Sequence, residues 1–131
     1  MKITLNDPAK ARQYFKAKME FTTGPVELHH MLENHNHNVN IVDVRAADDY
    51  ARGHIPGAIN LPKDKWPTFE GLRKQKLNIL YCYSQTCHLA ATAGVEFAAH
   101  GYPIMEMQGG FDAWSQNEFE VEQGEKLRAA A

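Results

Sequence analysis

Three short runs constrain this chain most: Ile41-Val42-Asp43-Val44, Asn78-Ile79-Leu80-Tyr81 and Ile104–Met107. The first two are mostly apolar over four residues rather than alternating, as expected of strands buried on both faces. Helical patterns lie between the runs. A chain that alternates buried strands with helices folds as an α/β domain around a parallel sheet. With 131 residues, of which 44% are hydrophobic, it is sized for one domain with an ordinary core.

Local signals set the order of elements. Asp7 caps a first helix over residues 7–18, with Pro8 at its first position. Met19–Thr22 reads as a short strand and Gly24-Pro25 breaks it. VELHHMLEN is a helix with Val26, Leu28, Met31 and Leu32 inward, followed by a polar loop over residues 34–40. After the strand at 41–44 come a brief helix at Asp48–Arg52, a turn at Gly53–Gly57 and a short strand at Ala58–Leu61. The charged stretch 63–76 is expected to hold a surface helix. His88–His100 carries small or apolar residues on nearly every side, which predicts a well-buried helix. Gly101 and Pro103 stop it. Gly109-Gly110 turns the chain from the strand at 104–107 into a last helix carrying Phe111 and Trp114. A polar tail ends the chain, frayed over its last ten residues.

The chemistry concentrates in ILYCYSQTCHLAA, residues 79–91, which holds the only two cysteines. Cys82 ends a buried strand, and sites in open α/β sheets form beyond the carboxyl ends of strands. Cys87 begins the following helix. Backbone N–H groups at such a turn would stabilise a thiolate and lower the pKa of Cys82, and the thiolate is the nucleophile. The loop Tyr83-Ser84-Gln85-Thr86 has no acidic residue to oppose an anion, and His88 stands close by.

Three segments then resemble one family. IVDVRAADDYARGHIPGAINLP, residues 41–62, is similar to the first signature of the rhodanese superfamily. ILYC resembles the strand leading to that family's catalytic cysteine, and EMQGGFDAW, residues 106–114, resembles its second signature. They occur in the family's order over residues 20 to 117. The resemblance implies a doubly wound rhodanese-like domain spanning residues 1–131, with its core at about 20–117, a first helix at about 7–18 and a polar tail at about 118–131. Its central parallel sheet has about five strands flanked by helices. The implied activity is sulfur transfer through a persulfide on Cys82, cradled by residues 83–88. The implied partners are a small sulfur donor and a thiol, cyanide or protein sulfur acceptor, with no cofactor and no metal.

The active loop departs from the family pattern Cys-Arg-Ser-Gly-x-Arg. Tyr83 and Cys87 replace the two arginines, and Gln85 replaces the glycine. Arginine is the natural bidentate partner of an oxyanion. Its loss disfavours thiosulfate and points to a persulfide or polysulfide donor. A phosphatase or arsenate reductase would need Cys-x5-Arg, and the sixth residue after Cys82 is His88. Cys87 is either a small filler or a thiol that resolves a modified Cys82. A non-catalytic or redox-sensing module using the Cys82/Cys87 pair is therefore the alternative to a sulfurtransferase. Asp43 and Arg45 are candidates for supporting the loop, or for bracing neighbouring turns. Tyr83 either rims the pocket or points to solvent. Asp49, Tyr50, His54 and Gly57 read as fold-forming, and Trp66 and Trp114 as packing residues.

Charge argues against several other classes. Lys plus Arg total 14 and Asp plus Glu 16, a net of −2, which offers no footprint for nucleic acid or an anionic membrane. No apolar run approaches the length of a signal peptide or a spanning helix, so a cytoplasmic protein is expected. His29, His30, His35 and His37 read as solvated surface rather than a metal site.

Overall fold

The computed structural model describes residues 2–124. Five strands form one all-parallel sheet in the order β1-β5-β4-β2-β3. They are β1 (Thr22–Thr23), β2 (Val39–Asp43), β3 (Ile59–Asn60), β4 (Leu77–Tyr81) and β5 (Ile104–Met107). The helices are α1 (Pro8–Phe21), α2 (Pro25–Glu33), α3 (Ala47–Arg52), α4 (Leu89–Ala99) and α5 (Gly110–Gln116). From β2 the chain adds β3 on one side and β4 on the other. Ligand crevices form where the winding reverses, here beyond Asp43 and Tyr81.

The two-residue period of a strand splits β4 between two cores. Leu80 and, just past the strand, Cys82 pack with Ala90, Ala93 and Phe97 of α4. Ile79 and Tyr81 pack on the opposite face with Leu28, Met107 and Trp114. Cys82 thus points toward the helix that follows it.

Four expectations about elements need correction. Helix α1 runs on to Phe21, because the Thr22 N–H and hydroxyl both bond the Lys18 carbonyl and keep the last turn closed. The strand expected at 19–22 shrinks to Thr22–Thr23. The surface helix expected in 63–76 is instead one 3-10 turn, Lys63–Thr68, followed by turns. Pro67 has no N–H to extend a helix, and Trp66 is drawn inward, its indole N–H donating to the Leu61 carbonyl at 3.0 Å. The stretch after it is held from outside. Asn78 is fully buried; its amide donates to the carbonyls of Arg73, Lys76 and Pro103, and its Oδ1 accepts from the Arg73 N–H. Third, α4 is buried along one stripe only, and Val95 is 74% exposed, since small outward residues do not require cover. Finally, the polar loop after α2 ends early, as Val39 and Asn40 already belong to β2. Of the polar tail, residues 125–131 lie outside the described residues.

Candidate active site

Cys82 follows β4 directly and is 2% exposed. Its Sγ donates to the Cys87 carbonyl oxygen at 3.7 Å. Between them the loop makes a tight turn, closed by the Cys87 N–H on the Ser84 carbonyl at 3.2 Å. Helix α4 starts at Leu89, so Cys87 precedes the helix rather than opening it.

The electrostatics of the pair differ from the sequence expectation. Burial, and then the hydrogen bond with Cys87, push the Cys82 thiol up to about 11; the N–H groups of Ala90 and Tyr83 only partly offset this. Cys87 is half-buried. Burial pushes its thiol up too, but the Cys82 hydrogen bond and the N–H groups of Leu89, Tyr83 and Ser84 outweigh it and hold the thiol below its ordinary value. The Leu89 N–H is 3.5 Å from the Cys87 sulfur. Among the described residues, the one N–H that bonds a sulfur of the pair, from Leu89, goes to Cys87 rather than to Cys82, and the two thiols are shifted in opposite directions.

The loop is fixed from below by α5. The N–H groups of Phe111 and Asp112 donate to the carbonyls of Cys82 and Tyr83 at 2.8 and 3.0 Å. Gly110, at φ +63°, lies against the same backbone: a Cβ there would meet Ser84 N and Tyr83 C at 2.6 Å and Cys82 O at 2.8 Å. This close approach is the physical content of the Gly109-Gly110-Phe111 segment.

Tyr83 turns away from Cys82 toward α3. Its hydroxyl donates to Asp49 at 2.6 Å and accepts from the Ala46 N–H at 3.2 Å. The bond from Tyr83 is the main cause holding the Asp49 carboxyl below its ordinary value. Tyr83 also lines a cavity of about 430 Å³ with Arg45, Phe111 and Val121. Sequence reasoning read Asp49 as fold-forming and did not pair it with the loop, because it arrives from another element.

Asp43 and Arg45 face one another rather than the sulfur. The buried Asp43 carboxylate accepts from the Arg45 N–H at 2.8 Å, from Nε at 3.1 Å and from a terminal guanidinium nitrogen at 2.7 Å. That same nitrogen donates to the Gly53 carbonyl at 2.6 Å, and the guanidinium lies over the Phe111 ring at 4.3 Å. The charge of Arg45 is thus matched by one carboxylate. Ser84 and Thr86 exchange a hydroxyl contact at 3.3 Å, while Gln85, Thr86 and His88 are exposed. The charge of His88 is felt by Glu106 of β5, whose carboxyl burial pushes up and His88 draws partly back. Glu106 was not foreseen, since it lies on a strand read only as core.

The histidines also divide. His29 is not simply solvated: its ring stacks on Phe119 at 3.9 Å. His54 is buried, stacks on Tyr50 at 3.7 Å, and bonds the Tyr50 carbonyl through Nδ1 at 2.8 Å. Among the described residues there is no cluster of metal-ligating side chains, and no helix is long and apolar enough to cross a membrane.

A parallel α/β sheet that delivers a cysteine from the end of its central strand into a short turn defines a class of α/β cysteine domains. Within that class the chain belongs to the rhodanese-like domain family, whose model matches residues 24–117. The family is of sulfurtransferase type. Solved structures agree. The BH2092 protein from Bacillus halodurans is 32% identical, with a TM-score of 0.81 over 89% of this chain and 87% of that one. A rhodanese-like domain protein from Staphylococcus aureus is 27% identical, with a TM-score of 0.64 over 72% of this chain and 90% of that one. A thiosulfate sulfurtransferase from Pseudomonas aeruginosa is 28% identical, with a TM-score of 0.66 over 81% of this chain but 20% of that longer one.

Proposed function

We propose that this protein is a sulfurtransferase that carries sulfane sulfur as a persulfide on Cys82, and that its donor is a persulfide or polysulfide rather than thiosulfate. One observation carries the donor preference: among the described residues no lysine or arginine side chain hydrogen-bonds the active loop, and Arg45 only lies over the Tyr83 ring at 5.7 Å. Tyr83 and Cys87 stand where the family has arginine, and Arg45 is engaged by Asp43. A dianion would therefore meet no arginine fork on this loop, whereas a persulfide asks for less charge compensation.

The buried Cys82 thiol, pushed up to about 11, needs a base, and we assign that task to Cys87, whose thiol is held below its ordinary value. In the step we envisage, the Cys82 sulfur attacks the outer sulfur of a donor RS–SH and its proton passes to Cys87. The donor's S–S bond breaks and its electron pair leaves with RS⁻. Cys82 then holds Cys–S–SH, and an acceptor thiol removes the outer sulfur. We assign the protein to the cytoplasm, with small sulfur compounds or a protein thiol as partners.

The test is intact mass under non-reducing conditions after exposing the reduced protein to inorganic polysulfide, with Cys82→Ser alongside. One added sulfur in the wild type immediately after exposure, absent from Cys82→Ser, is expected. Equal sulfur uptake by both would exclude Cys82 as carrier. Thiosulfate turnover equal to that with polysulfide would overturn the donor preference.

A further inference from the structure

The wild-type loop contains something a simple sulfur carrier does not need: a second thiol in contact with the first. The structure puts the Cys87 sulfur beside Cys82, with the Leu89 N–H at 3.5 Å from it and the Cys82 sulfur 3.7 Å from the Cys87 carbonyl. Cys87 packs against the same core as Cys82. Cys87 is the more accessible of the two. It stands where sulfur loaded on Cys82 would meet it before any external thiol.

We infer that Cys87 is a resolving thiol that converts the Cys82 persulfide into a Cys82–Cys87 disulfide and releases the outer sulfur as hydrosulfide. The protein is then a sulfane-sulfur reductase rather than only a carrier. This inference rests on the persulfide reading above. The Cys87 thiolate attacks the inner sulfur, the Sγ of Cys82. The Cys82 Sγ–S bond breaks, and its electron pair leaves with the outer sulfur as HS⁻. Two thiols are oxidised to a disulfide and one sulfane sulfur is reduced to sulfide. The proton that Cys87 took during loading passes to the departing RS⁻, restoring the Cys87 thiolate. An external dithiol, small or carried by a protein, reduces the disulfide for the next cycle.

The geometry favours this over a filler role. A filler would be satisfied by packing alone, yet the Leu89 N–H donates to the Cys87 sulfur at 3.5 Å, and neighbouring N–H groups help hold its thiol below the ordinary value. Those groups support a thiolate, the form a resolving sulfur needs. The tip of the loop, Gln85-Thr86, is an exposed turn. It has room for the adjustment that a disulfide requires in its Cα separation.

The experiment loads the reduced protein with polysulfide under anaerobic conditions and removes excess donor by rapid gel filtration. It then follows intact mass and released hydrosulfide together for the wild type, Cys82→Ser and Cys87→Ser. Cys87→Ser lacks the base that takes the Cys82 proton, so it is loaded at higher pH and for longer, until its mass shows one added sulfur, and each protein is then followed from its loaded state. The wild type is expected to lose its extra sulfur and two hydrogens while releasing one hydrosulfide per chain. It should do so about tenfold or more faster than Cys87→Ser, which keeps its sulfur until a thiol is added. Equal sulfur loss in wild type and Cys87→Ser, or a disulfide without matching hydrosulfide, overturns the resolving role while leaving Cys82 as carrier. Absence of loading in the wild type, or loading of Cys82→Ser in place of Cys87→Ser, removes the persulfide reading and the inference together.

Discussion

The active loop has a root and a tip, and the two are built differently. At the root, Cys82 and Tyr83 give their carbonyls to the N–H groups of Phe111 and Asp112, and Gly110 leaves no space between α5 and the loop. At the tip, Gln85 and Thr86 are exposed and held by a single backbone bond from Cys87 to Ser84, with one hydroxyl contact beside it. The position of Cys82 is therefore set by another part of the chain, while Gln85 and Thr86 are not tied to that task. This is why two arginines and a glycine can be absent from the loop without disturbing the fold.

The largest effect should come from the root. Gly110→Ala places a methyl group 2.6 Å from loop backbone at a left-handed φ of +63°, so both the contact and the conformation oppose it. We expect a loss of about 3–5 kcal/mol in urea unfolding, in the range of severe overpacking with backbone strain. A loss under about 1 kcal/mol would show that α5 can withdraw and that the root is no more rigid than the tip.

The next prediction concerns the thiols, one at each end of the loop. Cys82 stays neutral until the pH approaches about 11, whereas Cys87 is shifted the other way. A thiol below its pKa reacts in proportion to its thiolate fraction, so labelling of Cys82 should climb about tenfold per pH unit up to that value. At pH near 8 an alkylating reagent should mark Cys87 and spare Cys82, read by peptide mapping. Preferential labelling of Cys82 would reverse the assignment of charge within the pair.

A smaller effect is expected where the root meets α3. Tyr83→Phe removes a hydroxyl that joins Asp49 and the Ala46 N–H. Tyr83 is 37% exposed, so water replaces part of what is lost, and a cost of about 0.5–1.5 kcal/mol is expected. The Asp49 carboxyl should also titrate higher in the variant, because the Tyr83 bond is the main cause holding it down. An unchanged Asp49 titration by NMR would show that this bond does not anchor the loop.

The same contrast explains what could be read from the sequence. Cys82, the parallel sheet and the role of Gly109-Gly110 as a turn were legible because they depend on local patterns: buried apolar runs, a strand end, paired glycines. The family was legible because its signatures belong to the root. What escaped depends on contacts between distant elements. Asn78 looked like the polar start of a strand, and only the fold shows it bonding Arg73, Lys76 and Pro103 in place of the expected helix. Tyr83 could not be paired with Asp49, since 34 residues separate them. The pKa order of the cysteines escaped because it reflects burial and one thiol–thiol contact, neither of which spacing reveals.

The smallest effect should come from the tip itself. Gln85 is exposed, and it occupies the position where the family pattern has glycine. It does not take a left-handed φ, since the non-glycine residues that do are His35, Phe69 and Glu118. Gln85→Gly therefore relieves no strain and adds freedom mainly to the unfolded chain, at a cost of about 0.5–1 kcal/mol or less. Stability should barely move in urea unfolding, while the rate of Cys82–Cys87 disulfide formation should change, because the turn at Gln85-Thr86 sets the approach of the two sulfurs. Restoring the family glycine and finding a gain of more than about 1 kcal/mol would mean that the tip is strained as it stands. In that case Gln85 would belong with the root, as a residue held by the fold against its own preference.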